Sequence, residues 1–412
     1  MALLLSLNSF SALVTSNAVT GNWTSSTSWA GGVLPATNDT VVIVNGANIT
    51  LNTNAIIYKI RINTGGTLNI GSYALTLQGN TNNYGSIFIT GALNLNTGTI
   101  NLTGNWECYS GTFNCNTGTV NFNGKEGQGI AGDIPTFYHL LISNFNSIGT
   151  TGYGVSAHPT NTIIKGNFIA NGTFNRNSNG NYLTKVTFAG NTQLSGAYSF
   201  YLHNVVIDTL CTLNAGSKTI YLYGNWTGKG SFICGTSTIW FSYDPVHATH
   251  PNQDFYQASP DLNPFYNLYI NKTTGSVTQI SGYGNTLGNL YVNNNFTVQK
   301  GSYDCGGVHR LYVKGNVVVN GGNGGIFVPN LGRLLMNGTS AQTLDMGGSD
   351  LYKFTISNAA GVTLASDMKV TYELNLSGGI INTTSAYGVW VSNSDTVSIV
   401  SYGSSGFIAG RL

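Results

Sequence analysis

Apolar and polar residues alternate with a period of two along most of this chain, in runs of five or six residues broken by Gly-Asn or Thr-Gly. From Thr64 onward it reads TGGTLNIGSYALTLQGN, then SIFITGALNLNTGTINLTGNW, then SGTFNCNTGTVNFNG. Such alternation turns one side chain inward and the next outward, which is a strand pattern and not a helical one. Strands this short bury their inner face only if similar coils stack on one another. The pattern therefore predicts an all-β chain, a right-handed parallel β-helix (solenoid) with short turns and one projecting loop, at roughly 20 to 23 residues per coil. The turns at Gly65-Gly66, Gly91, Gly98 and Gly118 are expected at coil corners.

A longer repeat overlies this beat. Its copies run Val120 to Asn144, Val186 to Asp208, Thr238 to Asp244 (resuming at Asn263 to Lys272) and Leu334 to Asn358. Each is an apolar strand, a Gly-containing turn, a polar-apolar step, a variable loop and an aromatic-rich strand ending in Asn or Asp. A second tag recurs as Gly21-Asn22-Trp23, Gly104-Asn105-Trp106 and Gly224-Asn225-Trp226, with relatives Gly166-Asn167-Phe168 and Gly315-Asn316-Val317. Here Gly is expected at positive φ at a corner, with the aromatic residue entering the core.

Composition narrows the function classes. Only 7% of the 412 residues are charged and the net charge is +2, against about 25% charged residues in an ordinary domain. Phosphate-driven binding of nucleic acid has no electrostatic support, and no apolar run is long enough for a membrane helix. The five cysteines form no CxxC, so a zinc ribbon is excluded on spacing. Cys211 and Cys234 stand close to one coil length apart and are expected to stack on adjacent coils. Three Glu stand far apart (Glu107, Glu126, Glu373), and most Asp lie in turns, so the paired carboxylates of a glycosidase are not evident. No catalytic residue, metal ligand or cofactor is expected.

The opening GNWTSSTSWAGGVLPATNDTVVIVNGANITLN (Gly21 to Asn52) sets Trp23 and Trp29 beside Gly31-Gly32, Pro35 and Asp39. It resembles the first coil of repeat-bearing bacterial surface and phage β-solenoid proteins, and the later strand, Gln, Gly, aromatic, Asn units are similar to repeats of that group. The resemblance implies adhesins, fibres or secreted modules. The chain ends in GSSGFIAGRL without a sorting domain, which directs the expectation to a phage virion protein, a tail or head fibre. The alternatives are a secreted bacterial cell-surface adhesin and a carbohydrate-active enzyme, a polysaccharide lyase or glycosidase, on the same scaffold.

The expected organisation is an N-terminal arm or cap (1–20), a solenoid (21–388) and a C-terminal cap or oligomer contact (389–412). The segment Ser242 to Pro264 holds four of the eight prolines and is read as a loop leaving the solenoid, because Pro cannot donate to a ladder. Its Tyr243, His247, His250, Asp254, Phe255 and Tyr256 are the candidate binding residues, for a protein partner or a cell-surface glycan. Sparse charge on flat strands predicts a homo-oligomer, a trimer by preference, or incorporation into a particle. The expected location is a virion surface or the cell exterior.

Overall fold

The computed structural model describes residues 11–79, 86–144, 161–172, 174, 185–242, 252–280, 288–376, 378–392 and 406–410. The chain forms two compact units, Met1–Tyr198 and Ser199–Leu412. Both are built of parallel coils in a right-handed β-solenoid, the hand that twisted strands joined in parallel adopt.

In the first unit, one sheet stacks Leu13–Thr15, Thr40–Ile43, Lys59–Ile62, Ile87–Ile89, Trp106–Cys108 and Ile130–Gly132. A second stacks Thr20–Asn22, Asn48–Thr50, Thr67–Asn69, Ala92–Asn94 and Thr112–Asn114. A third contains Ala55–Ile57, Ala74–Leu77, Thr99–Leu102, Thr119–Phe122 and His139–Ile142. The ladders put like positions in register. Val41, Ile60, Ile87, Trp106 and Ile130 form one inward column, each at most 3% exposed. Burying such side chains stabilises by roughly 1.5–3 kcal/mol apiece.

Among the described residues the parallel ladder already includes Leu13–Thr15, inside the segment expected to be an arm, and Val389–Val391 and Phe407–Ala409 also pair in parallel. Coil length is also less even than the sequence pattern predicts. Thr40 pairs with Lys59, whereas Ile60 pairs with Ile87, so the second of these coils is much the longer. The ladders keep the strands in register although the coils differ in length. Cys211 and Cys234 consequently do not stack. Asn214 lies opposite Ile233, a register that carries Cys234 to the level of Ala215.

Corners use polar side chains in a regular way. Outward asparagines of the second sheet form a ladder, with Asn69 Nδ2 donating to Asn48 Oδ1 (2.7 Å), Asn94 to Asn69 (2.8 Å) and Asn114 to Asn94 (2.7 Å). The Asn of the Gly-Asn-Trp tag caps the following coil: Asn105 Oδ1 accepts the Gly129 N–H (2.7 Å) and Asn225 Oδ1 that of Asp254 (2.8 Å). The tag glycines do not take the expected positive φ. They are required by close approach instead, since a Cβ on Gly104 would lie 2.3 Å from Ser86 Oγ and one on Gly224 2.4 Å from Asn204 Oδ1. The tag tryptophans are buried, as expected of core residues: Trp106 packs edge-on against Phe113 and Phe137.

In the second unit, one sheet stacks Leu290–Val292, Arg310–Val313, Arg333–Met336, Leu351–Ile356, Met368–Asn375 and Val389–Val391. Another ladder runs through Phe200–Leu202, Thr219–Leu222, Thr238–Ser242 and the first part of Asn267–Gln279.

Three of the four copies of the longer repeat share a polar centre. In the first copy the buried Gln128 donates from Nε2 to the carbonyls of Leu102 (2.8 Å) and Gly104 (2.7 Å), and its Oε1 accepts from Gly124 N–H and Asn144 Nδ2. In the last copy Gln342 repeats this with Val313, Gly315, Gly338 and Asn358. In the interrupted copy Gln253 donates to Leu222 and Gly224, but Lys272 stands where Asn144 and Asn358 do. Each Gln adds a side-chain donor to backbone carbonyls at the corner, of which Leu102 and Val313 also accept a backbone N–H from the next coil.

Candidate functional site: outward aromatic columns

The expected contact segment divides. Tyr243, His247 and His250 lie outside the described residues. Gln253–Gln257 is not a projecting loop: it is a strand paired in parallel with Trp226–Gly228 and with the Asn267–Gln279 strand. Phe255 and Tyr256 are each 2% exposed, so their rings belong to the core and offer no contact surface. The Phe255 ring lies 5.2 Å from Phe265 and 6.0 Å from Phe241. Asp254 does face solvent, with its N–H held by Asn225. The physical reason is local. The prolines flank this strand at Pro251 and Pro260 and none lies within it, so proline density over the whole segment hid a short strand that pairs normally.

A different set of aromatic side chains comes together on the surface of the second unit. Phe200–Leu202, Ile220–Leu222, Ile239–Phe241 and Leu268–Ile270 read FYL, IYL, IWF and LYI. The outer residues of each triad are buried, so alternation turns the middle residue outward. Register then places Tyr201 opposite Tyr221, Tyr221 opposite Trp240, and Trp240 opposite Tyr269. The ring centroids are 4.9 Å (9° between planes), 6.0 Å (31°) and 4.5 Å (14°) apart. These rings turn their faces on one another, so a ligand meets ring edges, phenol hydroxyls and the indole N–H. Alongside runs a polar column of Thr219, Thr238 and Asn267, with Asn267 Nδ2 donating to Thr238 Oγ1 (3.3 Å). The arrangement is rigid, because stacking fixes side chains that carry few rotatable bonds, and it is amphipathic.

This column is missing from the sequence reading although its signal is present: four apolar-aromatic-apolar triads. Their spacing is uneven, the step from Trp240 to Tyr269 being longer than those before it, and only the ladder aligns them.

Among the described residues no three His, Cys, Asp or Glu side chains come together as metal ligands would. Glu373 is engaged by Arg333 at 2.6 Å and Glu126 is exposed. Burial pushes the Cys108 thiol up to about 11, and burial together with Asp304 pushes Cys305 higher still, so neither supplies a thiolate at neutral pH. No helix among the described residues is long and apolar enough to cross a membrane.

The likeness to bacterial surface and phage solenoids rests on the parallel coils alone: no family model, no curated protein and no solved structure matches this chain.

Proposed function

We propose that this chain is a non-enzymatic adhesive scaffold, a fibre or spike subunit on the surface of a phage virion, that holds glycans of the host surface along the outward column Tyr201, Tyr221, Trp240 and Tyr269. That column carries the reading. Stacked coils supply rigidity, and the column supplies apolar ring edges interleaved with hydroxyl, indole and amide groups at the spacing of the strands, about 4.8 Å. A pyranose ring is of comparable length, so a glycan chain lying along the coils meets one aromatic residue per sugar. Most of that contact is available at low entropic cost because the rings are already ordered. The sparse charge favours a polyhydroxylated ligand over an ionic one at this face.

The test is binding of the whole chain to an array of neutral surface glycans, followed by Trp240→Ala. The variant is expected to lose at least about tenfold in affinity, roughly 1.4 kcal/mol, with the thermal midpoint nearly unchanged. Unchanged binding by Trp240→Ala, or no binding across the array, would refute the reading. Immunogold labelling of native particles and of cell envelopes separates a virion subunit from a secreted adhesin using the same column.

A further inference from the structure

The chain has only 16 Lys and Arg in 412 residues, yet three of them align on adjacent strands of one sheet in the second unit. Arg310 lies opposite Arg333, and Arg333 opposite Lys353, with Glu373 next in register. Arg333 donates to Glu373 Oε1 (2.6 Å) and to Thr355 Oγ1 (2.5 Å). Lys369 on the same sheet pairs with Asp350 (2.7 Å). With those two carboxylates engaged, Arg310 and Lys353 are the cations of this face outside direct ion pairs, and Asp261 is a further carboxylate acting on the neighbouring Tyr291.

Each of these cations sits beside a stacked tyrosine pair. Tyr291 and Tyr312 have centroids 4.2 Å apart and planes at 1°, and the Arg310 Nη1 lies 3.5 Å from Tyr312 Oη. Tyr352 and Tyr372 are stacked at 4.7 Å, and the Lys353 Nζ lies 4.9 Å from the Tyr372 centroid. Arg310 and Tyr372 are exposed, and the other members are half-buried. The same device, a cation against a pair of phenols, therefore occurs twice on one face. The two cations are two strand steps apart, or about 10 Å.

We infer that this face binds an acidic linear polysaccharide, a polyuronate, with Arg310 and Lys353 each taking a carboxylate and the tyrosine pairs taking the sugar edges between them. The inference rests on the glycan-binding reading above and names a second ligand class at a separate face. A guanidinium suits a carboxylate because it can donate two parallel hydrogen bonds, and the neighbouring phenol adds a donor. The two-step spacing matches an extended polyuronate with alternate sugars turned over, which presents carboxylates on one side at every second residue. Nucleic acid fits less well. Phosphate-driven binding draws on about 6–10 contacts, and this column offers two cations outside its direct ion pairs, with the Glu373 carboxylate also acting on Arg310.

The experiment is calorimetric titration of the whole chain with β-1,4-linked mannuronate hexamers, cellohexaose and oligothymidylate, at low and at high NaCl. Mannuronate is expected to bind, to weaken with salt, and to lose at least tenfold in affinity in the double variant Arg310→Gln, Lys353→Gln, while Trp240→Ala leaves it unchanged. Both substitutions are at surface positions, and an unchanged thermal midpoint verifies the fold; Arg310→Lys, which keeps the charge and removes the fork, is expected to recover part of the loss. Absent mannuronate binding, binding indifferent to the double variant, or oligothymidylate binding as tightly as mannuronate would each overturn the inference. Neutral-glycan binding that depends on Trp240 while mannuronate fails refutes this inference alone. Failure of every glycan refutes the reading beneath it as well.

Discussion

Lys272 Nζ donates to Gln253 Oε1 at 2.7 Å in the core of the second unit, and both side chains are 1% exposed. In the sister copies the same glutamine oxygen accepts from Asn144 or Asn358. A cation thus replaces a neutral amide at an equivalent buried point, and burial lowers the Lys272 ammonium to about 8. An unfolded lysine titrates near about 10.4. Between about pH 8 and 10.4 the unfolded chain binds more protons than the folded one, so stability rises with pH across that window. Lys272→Asn is expected to flatten this dependence and to stabilise at pH 7 by about 1–3 kcal/mol. Urea unfolding at pH 7, 8.5 and 9.5 measures both; a less stable variant at pH 7 would mean that the ammonium is compensated.

Gln342→Leu keeps the volume near its original value and removes a whole set of hydrogen bonds at once. The carbonyls of Val313 and Gly315, the Gly338 N–H and the Asn358 amide are then left in the core without this partner. Val313 O keeps the Asn337 N–H and Asn358 Nδ2 keeps the Ser340 carbonyl, so the cost falls on the Gly315 carbonyl and the Gly338 N–H at about 1–3 kcal/mol each, and a loss of about 2 kcal/mol or more is expected on denaturant unfolding. A loss below about 1 kcal/mol would show that water enters and replaces the amide.

Phe255→Ala separates core from contact. Its ring packs against Phe241 and Phe265, and Trp226 is its neighbour in the ladder. The expected result is a loss of about 3–5 kcal/mol in stability, with glycan affinity of the still folded protein unchanged. Lost affinity at unchanged stability would restore Phe255 as a contact residue.

Assembly is a separate prediction. Flat outward strands carrying Asn and Thr, with little charge, have few devices against lateral association. Sedimentation velocity at micromolar concentration is expected to find a homo-oligomer, a trimer by preference. A lone monomer with no partner in its native source would contradict this.

The period of two was legible in the sequence because each inward position, such as Val41 or Ile60, must be apolar whatever the register. Coil length was not legible, because the ladder keeps its register across coils of different length; the step from Ile60 to Ile87 is plainly longer than that from Thr40 to Lys59. The aromatic column was hidden for the same reason: Tyr201, Tyr221, Trp240 and Tyr269 share a column only once the register of those unequal coils is known. The strand Gln253–Gln257 was obscured by a composition argument that averaged it with the prolines on either side.

Four corner asparagines of the second unit point one way along the chain. Asn204 Oδ1 accepts the N–H of Asn225, Asn225 that of Asp254, Asn295 that of Asn316, and Asn316 that of Thr343. In each case the earlier coil holds the acceptor and the later coil supplies the donor. A finished coil is therefore a template, with an oxygen already aimed at the backbone still to come. Such a chain is suited to being built vectorially, one turn at a time as it leaves the ribosome, without waiting for its C-terminal half. Removing a whole coil leaves every template a successor, whereas removing one residue from a strand leaves an asparagine aimed at the wrong atom.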